Sequence, residues 1–129
     1  MDKPRIRVVI AEIERHGRFL ITQRRENAVM PLLWEFPGGR VQHGESDQQA
    51  LARSIRERLG GEVAVEELVM LHAHEYDEYI VELVSYRCAI IGDLENRKVR
   101  DHQWVAPDEF DQYAFPDADQ ATIDALLSE

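Results

Sequence analysis

Two glycine pairs constrain this chain more than any other feature. Gly38-Gly39 follows Trp34-Glu35-Phe36-Pro37, and Gly60-Gly61 closes a run in which Leu51, Ile55 and Leu59 recur every four residues. That recurrence is helical. Ser46 with Gln49 three residues later is the reciprocal pattern in which a hydroxyl caps a helix and a side-chain amide caps back. The spacing predicts a helix from Ser46 to Gly60, entered from a strand that a glycine turn cuts short. Glycine accepts positive φ and carries no side chain, so the backbone at Gly38-Gly39 can turn sharply and bring carbonyls close to a ligand. On the helix, Ser54, Glu57 and Arg58 are related as i, i+3 and i+4 and share a face beside the apolar stripe.

The flanking segments read mostly as strands. From Ile6 to Ile13 β-branched residues dominate, His16-Gly17 makes a turn and Phe19 to Thr22 resumes the extended pattern, which together predict a hairpin. Asn27 to Leu33 is a loop. Val63 to Tyr76 and Tyr79 to Ile91 are two long strands, the second with Val84, Tyr86, Cys88 and Ile90 on one face. Gln103 to Ala106 is a short strand, Pro107 to Tyr113 a short helix and Ala118 to Leu127 a terminal helix, introduced by Asp117 and Gln120 in a second capping-box spacing. The sum is an α/β chain with a mixed sheet flanked by helices. No repeat or linker interrupts its 129 residues, so one domain over residues 1–129 is expected.

Charge narrows the partners. Fifteen Lys and Arg against twenty-five Asp and Glu give a formal charge of −10, which repels a polyanionic duplex. A small phosphorylated ligand stays compatible, because a cluster of arginines or a divalent cation can reverse the potential inside one cleft. The apolar runs Val8 to Ala11 and Cys88 to Ile91 are far too short for a membrane span, and Met1 to Arg7 lacks the apolar stretch of a signal peptide, so a cytoplasmic location is expected. Cys88, the one cysteine, excludes an internal disulfide and reads as an inert core residue. His72 and His74 alternate on one strand. They read as a solvent-facing pair opposite buried Leu71 and Ala73, with a transition-metal pair as the alternative.

Gly39 is followed after five residues by Glu45, after seven more by Arg53, and then by Ser54-Ile55-Arg56-Glu57-Arg58-Leu59-Gly60. This resembles the Nudix box, whose pattern is G, five residues, E, seven residues, then R-E-U-x-E-E-x-G-U with U a bulky aliphatic. Trp34 to Gly39 is similar to the approach to that box in the MutT-type branch, and the resemblance covers essentially the whole chain, with the box at residues 39–61. It implies the Nudix fold, an α/β/α sandwich with a mixed β-sheet. It also implies attack of water on a phosphorus of a nucleoside diphosphate linked to a group X, here a nucleoside triphosphate first of all, with Mg²⁺ or Mn²⁺ as cofactor.

Carried over by position, the resemblance assigns catalysis to Arg53, Glu57 and Asp101, the last at the place of a late-loop acid. It assigns the metal to Glu57, the Gly38 carbonyl and Glu45, with Glu35 as an alternative to Glu45. Arg24 matches a position that holds substrate phosphates, with Arg25 able to share the work; a solvated strand end is the competing reading. Tyr76 matches an aromatic that stacks on the base, and equally suits packing. Asp119 matches a position that reads the base edge, where a carboxylate favours cytosine, adenine or a tautomer of a modified purine; the first turn of a helix also favours an acid there.

The box departs from its pattern where the chemistry is densest. Ser54 and Arg58 stand in place of two glutamates, so Ser54, Glu57 and Arg58 together carry no net charge where the pattern carries three negative charges. Gly61 replaces the final aliphatic. An arginine cannot deprotonate and offers only donors, so it competes with a cation for the same place. Two readings follow: a weaker metal site and slow hydrolysis, or a nucleotide-binding module in which Arg58 contacts the phosphates directly. The simplest role for Glu57 is an ion pair with Arg53 one turn away. The expected partner is a small-molecule nucleotide, with the chain as a monomer or homodimer.

Overall fold

Alternation along the first strand sets up three layers. In the computed structural model, which describes residues 2–128, β1 (Arg5–Glu12) turns Val9 and Ala11 toward one core and Val8 and Ile10 toward another. Residues 1 and 129, which the expected domain includes, lie outside the described residues. β1 pairs antiparallel with β5 (Gly38–Arg40) and parallel with β7 (Ile80–Ile91), and β7 pairs antiparallel with β6 (Glu62–Glu75). The order β5-β1-β7-β6 is therefore a mixed sheet, as the sequence implies. A second sheet is built on β3 (Arg18–Gln23), flanked by β2 (Glu14–Arg15), β4 (Trp34–Glu35) and β8 (Asp101–Val105).

α1 (Asp47–Leu59) covers one face of the mixed sheet, burying Leu51, Ile55 and Leu59 against Val9, Ala11, Val84, Tyr86 and Cys88. The Ser46 and Gln49 capping box forms in both directions, at 3.1 and 2.9 Å, and Gly60 ends the helix in the left-handed region at φ 73°. The opposite face, carrying Ile10, Val81 and Leu83, is covered by Ala118, by Ile123 and Leu126 of α2 (Gln120–Leu127), and by Phe110 of a 3-10 turn at Pro107–Gln112. Among the described residues no helix is long and apolar enough to cross a membrane.

Several expectations from the sequence change. The hairpin is shorter than Ile6 to Thr22: His16 and Gly17 do turn with positive φ of 53° and 77°, but only residues near the turn pair, with Leu20 N–H donating to the Ile13 carbonyl at 3.0 Å. Beyond Ile13 the chain crosses from one sheet to the other, because β1 needs partners on both edges and finds them in β5 and β7. The helix expected from Pro107 is a 3-10 turn, and the terminal helix starts at Gln120 after a 3-10 turn at Asp117–Asp119. No Asp117 capping box forms there; the Gln120 amide donates to Asp124 instead.

His72 and His74 reverse their expected exposure. Both are half-buried, while Leu71 is 64 % exposed and Ala73 is exposed. Two register shifts between Val65 and Met70 disturb the alternation, and His74 then packs edge-on against Tyr76 at 4.7 Å between ring centres. Cys88 is buried as expected, and burial pushes its thiol up to about 12, which leaves it unreactive.

Asp47, the first residue of α1, ties the helix to the sheet. Its carboxylate accepts from Arg7 Nε and Nη2 at 2.9 and 2.8 Å and from the Tyr86 hydroxyl at 2.7 Å. The Arg7 hydrogen bonds hold Asp47 below the usual carboxylate range, against an opposing contribution from burial. With the folded value depressed, this stabilisation is complete above the unfolded value of about 3.9 and is lost as pH falls through the folded one. Asp47→Asn is expected to lose about 1.5 kcal/mol or more at neutral pH. Urea midpoints taken down through about pH 4 should fall more steeply for the unaltered chain than for the variant; parallel curves would contradict the assignment.

Candidate functional site

The site begins where α1 presses on β5. An ideal Cβ at Gly39 would lie 2.4 Å from Ser54 Oγ, and one at Gly38 would lie 2.0 Å from the Val9 carbonyl oxygen, so neither position admits a side chain. This close approach sets the last turns of α1 beside β4 and the end of β3. Glu35 on β4 is consequently gripped from two sides. Its Oε2 accepts from Arg24 Nε and Nη2 at 3.0 and 2.8 Å, and its Oε1 from Arg58 Nη1 at 3.3 Å. The third donor arm of Arg24 reaches the Val29 carbonyl at 2.7 Å, which holds the loop of residues 24–33 against the site.

Two adjoining recesses share Arg24 and Glu35 on their rims. One, of about 280 Å³, is lined by Arg24, Arg25, Glu57, Arg58 and Lys98 around Glu35. The other, of about 90 Å³, is lined by Arg24, Glu35, Tyr76, Tyr79 and Asp119. The Tyr76 and Tyr79 rings lie 5.1 Å apart, and the Tyr76 hydroxyl accepts from the Ala118 N–H at 3.0 Å. Asp119 is 5 % exposed, and burial pushes its carboxyl up to about 7; Glu35 adds to the rise and Arg24 opposes it. Another recess of about 290 Å³, between Glu12, Arg15, Glu66 and Arg87, shares none of these residues.

Arg24, Glu57, Arg58, Tyr76 and Asp119 therefore gather in one cleft, as their positions in the box and its surroundings imply. Arg53 sits beside it and organises its rim: it donates to Glu45 at 2.7 and 2.9 Å, to the Arg40 carbonyl at 2.9 Å and to Glu57 at 3.3 Å. Asp101 does not line the cleft. It lies opposite Gln23 in the β3–β8 ladder, and its carboxylate accepts from the His102 N–H and the Gln103 amide. Lys98 is a member that the sequence pattern does not mark, whereas Arg25, named from the sequence as able to share the work of Arg24, lines the same recess. The signal for Lys98 is tertiary: Glu95 N–H donates to the Leu59 carbonyl, and Arg97 and Lys98 N–H donate to the Arg58 carbonyl, so the loop caps α1 and carries Lys98 with it. Arg25 is placed by its bond to the Arg97 carbonyl.

The residues present do not fit the divalent cation that the box implies. Glu45 is saturated by Arg53 and by the Gln42 N–H, which hold it below the usual carboxylate range. Ser54 is buried, and its Oγ has no hydrogen-bond partner. Gly38 stays in the β1–β5 ladder. Arg58 places a fixed positive charge against Glu35. Among the described residues, no group of three or more His, Cys, Asp and Glu side chains that could hold a metal ion comes together. The expected set of Gly38, Glu45 and Glu57, with Asp101 as a further acid, is thus not assembled, because each acid except Glu35 and Glu57 is engaged elsewhere and those two face cations.

Comparison with known proteins agrees with the fold. Residues 8–125 match the family model described as the NUDIX domain. The CTP pyrophosphohydrolase of Escherichia coli strain K12 is 37% identical over 124 residues, covering 95% of this chain and 92% of that protein. The 8-oxo-dGTP diphosphatase of Haemophilus influenzae is 34% identical, covering 100% of this chain and 96% of that protein. The solution structure of the E. coli ORF135 protein superposes with a TM-score of 0.84 at 36% identity, covering 98% of this chain and 91% of that one.

The Asp119 carboxyl gives this cleft a measurable signature. Its folded value lies above the unfolded one, so between about pH 4 and 7 the folded chain keeps a proton that the unfolded chain releases, and stability falls as pH rises through that window. Urea midpoints between pH 5 and 8 should decline for the unaltered chain and stay flatter for Asp119→Asn. Equal slopes would show that the carboxyl titrates in its ordinary range.

Proposed function

Because the chain belongs to the NUDIX family, with the family model and relatives above 30% identity covering most of its length, we propose that it binds a nucleoside triphosphate in this cleft and hydrolyses a pyrophosphate bond, with turnover held down by Ser54 and Arg58. One observation carries the reading: the arginine-lined recess and the Asp119 recess adjoin at Arg24 and Glu35, which matches a molecule with a polyanion at one end and a ring at the other.

Tyr76 and Tyr79 line the recess proposed to take the base, and Asp119 offers its carboxyl there. A carboxyl that titrates near neutrality presents one O–H donor and one acceptor oxygen. That pair complements the ring nitrogen and exocyclic amino group of cytosine, and the relative named a CTP pyrophosphohydrolase supports the same base. Arg24 and Arg58 hold the phosphates. Glu57 is the carboxylate of α1 that lines the phosphate recess, so it accepts the proton of the attacking water while Arg53 fixes its position through their ion pair. The oxygen of that water forms a bond to phosphorus, and the bridging P–O bond breaks with its electron pair leaving on the departing phosphate group. Such a carboxylate acts without a strong electrophile beside it, which is why the rate is low.

Product analysis with a nucleotide panel that includes CTP and 8-oxo-dGTP, in buffer containing Mg²⁺, tests the proposal. Nucleoside monophosphate should accumulate slowly with the unaltered chain and faster by about tenfold or more, equivalent to about 1.4 kcal/mol of barrier, with Ser54→Glu combined with Arg58→Glu. Since Ser54 is tightly packed, Arg58→Glu alone serves as a second variant whose folding the helix contact does not threaten. No monophosphate from any variant and any nucleotide would overturn the proposal.

A further inference from the structure

We propose that Arg24, Arg25, Arg58 and Lys98 form a phosphate site that works without a divalent cation, in which Glu35 is the resident counter-ion that an incoming triphosphate displaces. The inference rests on the nucleotide reading above and deepens it. Its first support is charge: the whole chain carries −10, yet the phosphate recess brings three arginines and a lysine against two carboxylates, Glu35 and Glu57, a local excess of positive charge. A recess with that excess attracts a polyanion and repels the cation that would otherwise bridge to it.

The cluster is also built rather than incidental. The loop carrying Lys98 is bonded to the last carbonyls of α1, at 2.7 Å for Glu95 to Leu59, 2.9 Å for Arg97 to Arg58 and 3.1 Å for Lys98 to Arg58. Arg25 donates to the carbonyl of Arg97 in the same loop. Cations at this helix end suit the partial negative charge of its carbonyls, Arg24 is held separately by Glu35 and the Val29 carbonyl, and all four residues line one recess.

Glu35 occupies the position of a ligand oxygen. Arg24 gives it two donors, whereas Arg58 gives it one at the longer distance of 3.3 Å, and among the described residues the other donors of Arg58 take no protein acceptor. Guanidinium groups stay protonated and bind phosphate oxygens through paired donors, so Arg24 and Arg58 can exchange one carboxylate for a triphosphate carrying several times its charge. Only half of this exchange involves breaking a close contact.

The roles of Glu35 as counter-ion and as metal ligand predict opposite signs. Titration calorimetry with inorganic tripolyphosphate and with CTP, in EDTA and again in Mg²⁺, is expected to give affinity in EDTA equal to or tighter than in Mg²⁺. Arg58→Gln should weaken binding in EDTA by about tenfold or more, and Glu35→Gln should tighten it by a few-fold, about 1 kcal/mol or less. Thermal unfolding of each variant confirms that it is folded before its affinity is read. Binding that appears only with Mg²⁺, an Arg58→Gln variant that binds as tightly as the unaltered chain in EDTA, or a Glu35→Gln variant that loses binding would each overturn the inference while leaving the nucleotide reading intact. Absence of CTP binding in both buffers would overturn the two together.

Discussion

The contact between α1 and β5 at Ser54 and Gly39 is the constraint from which the rest of this structure follows. Glycine at 38 and 39 lets the helix lie so close that a single added carbon would collide with it. That approach fixes the depth of the Leu51, Ile55 and Leu59 stripe in the core, and it fixes how far Glu57 and Arg58 project beyond the sheet edge toward Glu35. Ser46 and Asp47 secure the other end of the same helix through the capping box and the Arg7 and Tyr86 bonds. A helix pinned at both ends delivers its side chains to the cleft with little freedom.

Ser54 has a physical meaning at that contact beyond the loss of a ligand. A carboxylate at a position this buried is costly unless a cation or several donors meet it, whereas a lone hydroxyl costs only its own unmade hydrogen bond. The serine therefore allows the helix to dock with no cation in place. Arg58 completes the change on the exposed side: its guanidinium engages Glu35, the acid that would otherwise face Arg24 alone. Both substitutions move the site in the same direction, toward a cleft whose acids are met by the protein's own cations.

Sequence pattern revealed the parts of this arrangement that are local. The capping box, the four-residue stripe and the end of the helix at Gly60 each depend on residues within one or two turns of one another, and each forms as expected, whereas Gly38-Gly39, expected to turn sharply, stays extended and pairs with β1. What depends on pairing between distant segments was not legible. Strand periodicity identifies Ile6 to Ile13 as extended but is silent on whether it pairs with its neighbour in sequence or with β5 and β7. It also cannot show that a bulge near Val69 turns Leu71 outward and His72 inward. Asp101 was named by family resemblance, yet it lies opposite Gln23 and its carboxylate bonds to its own strand. Lys98 gained its place from the loop that caps the helix end, and no short-range pattern marks it.

The two halves of the cleft are electrostatically joined at Arg24. Of the charges that act on Asp119, Glu35 raises its carboxyl and Arg24 lowers it, and these are the same two groups that hold each other at the rim of the phosphate recess. An anion that takes up Arg24 cancels the one influence that favours the ionised form of Asp119. The carboxyl then moves further toward its protonated state, because desolvation is unopposed. A protonated Asp119 donates as well as accepts, so on the proposed reading an anion at Arg24 would change the hydrogen-bonding pattern that Asp119 offers. On the proposed reading, the edge that Asp119 offers to a base is thus set by Glu35 on β4 and by Arg24 just beyond β3.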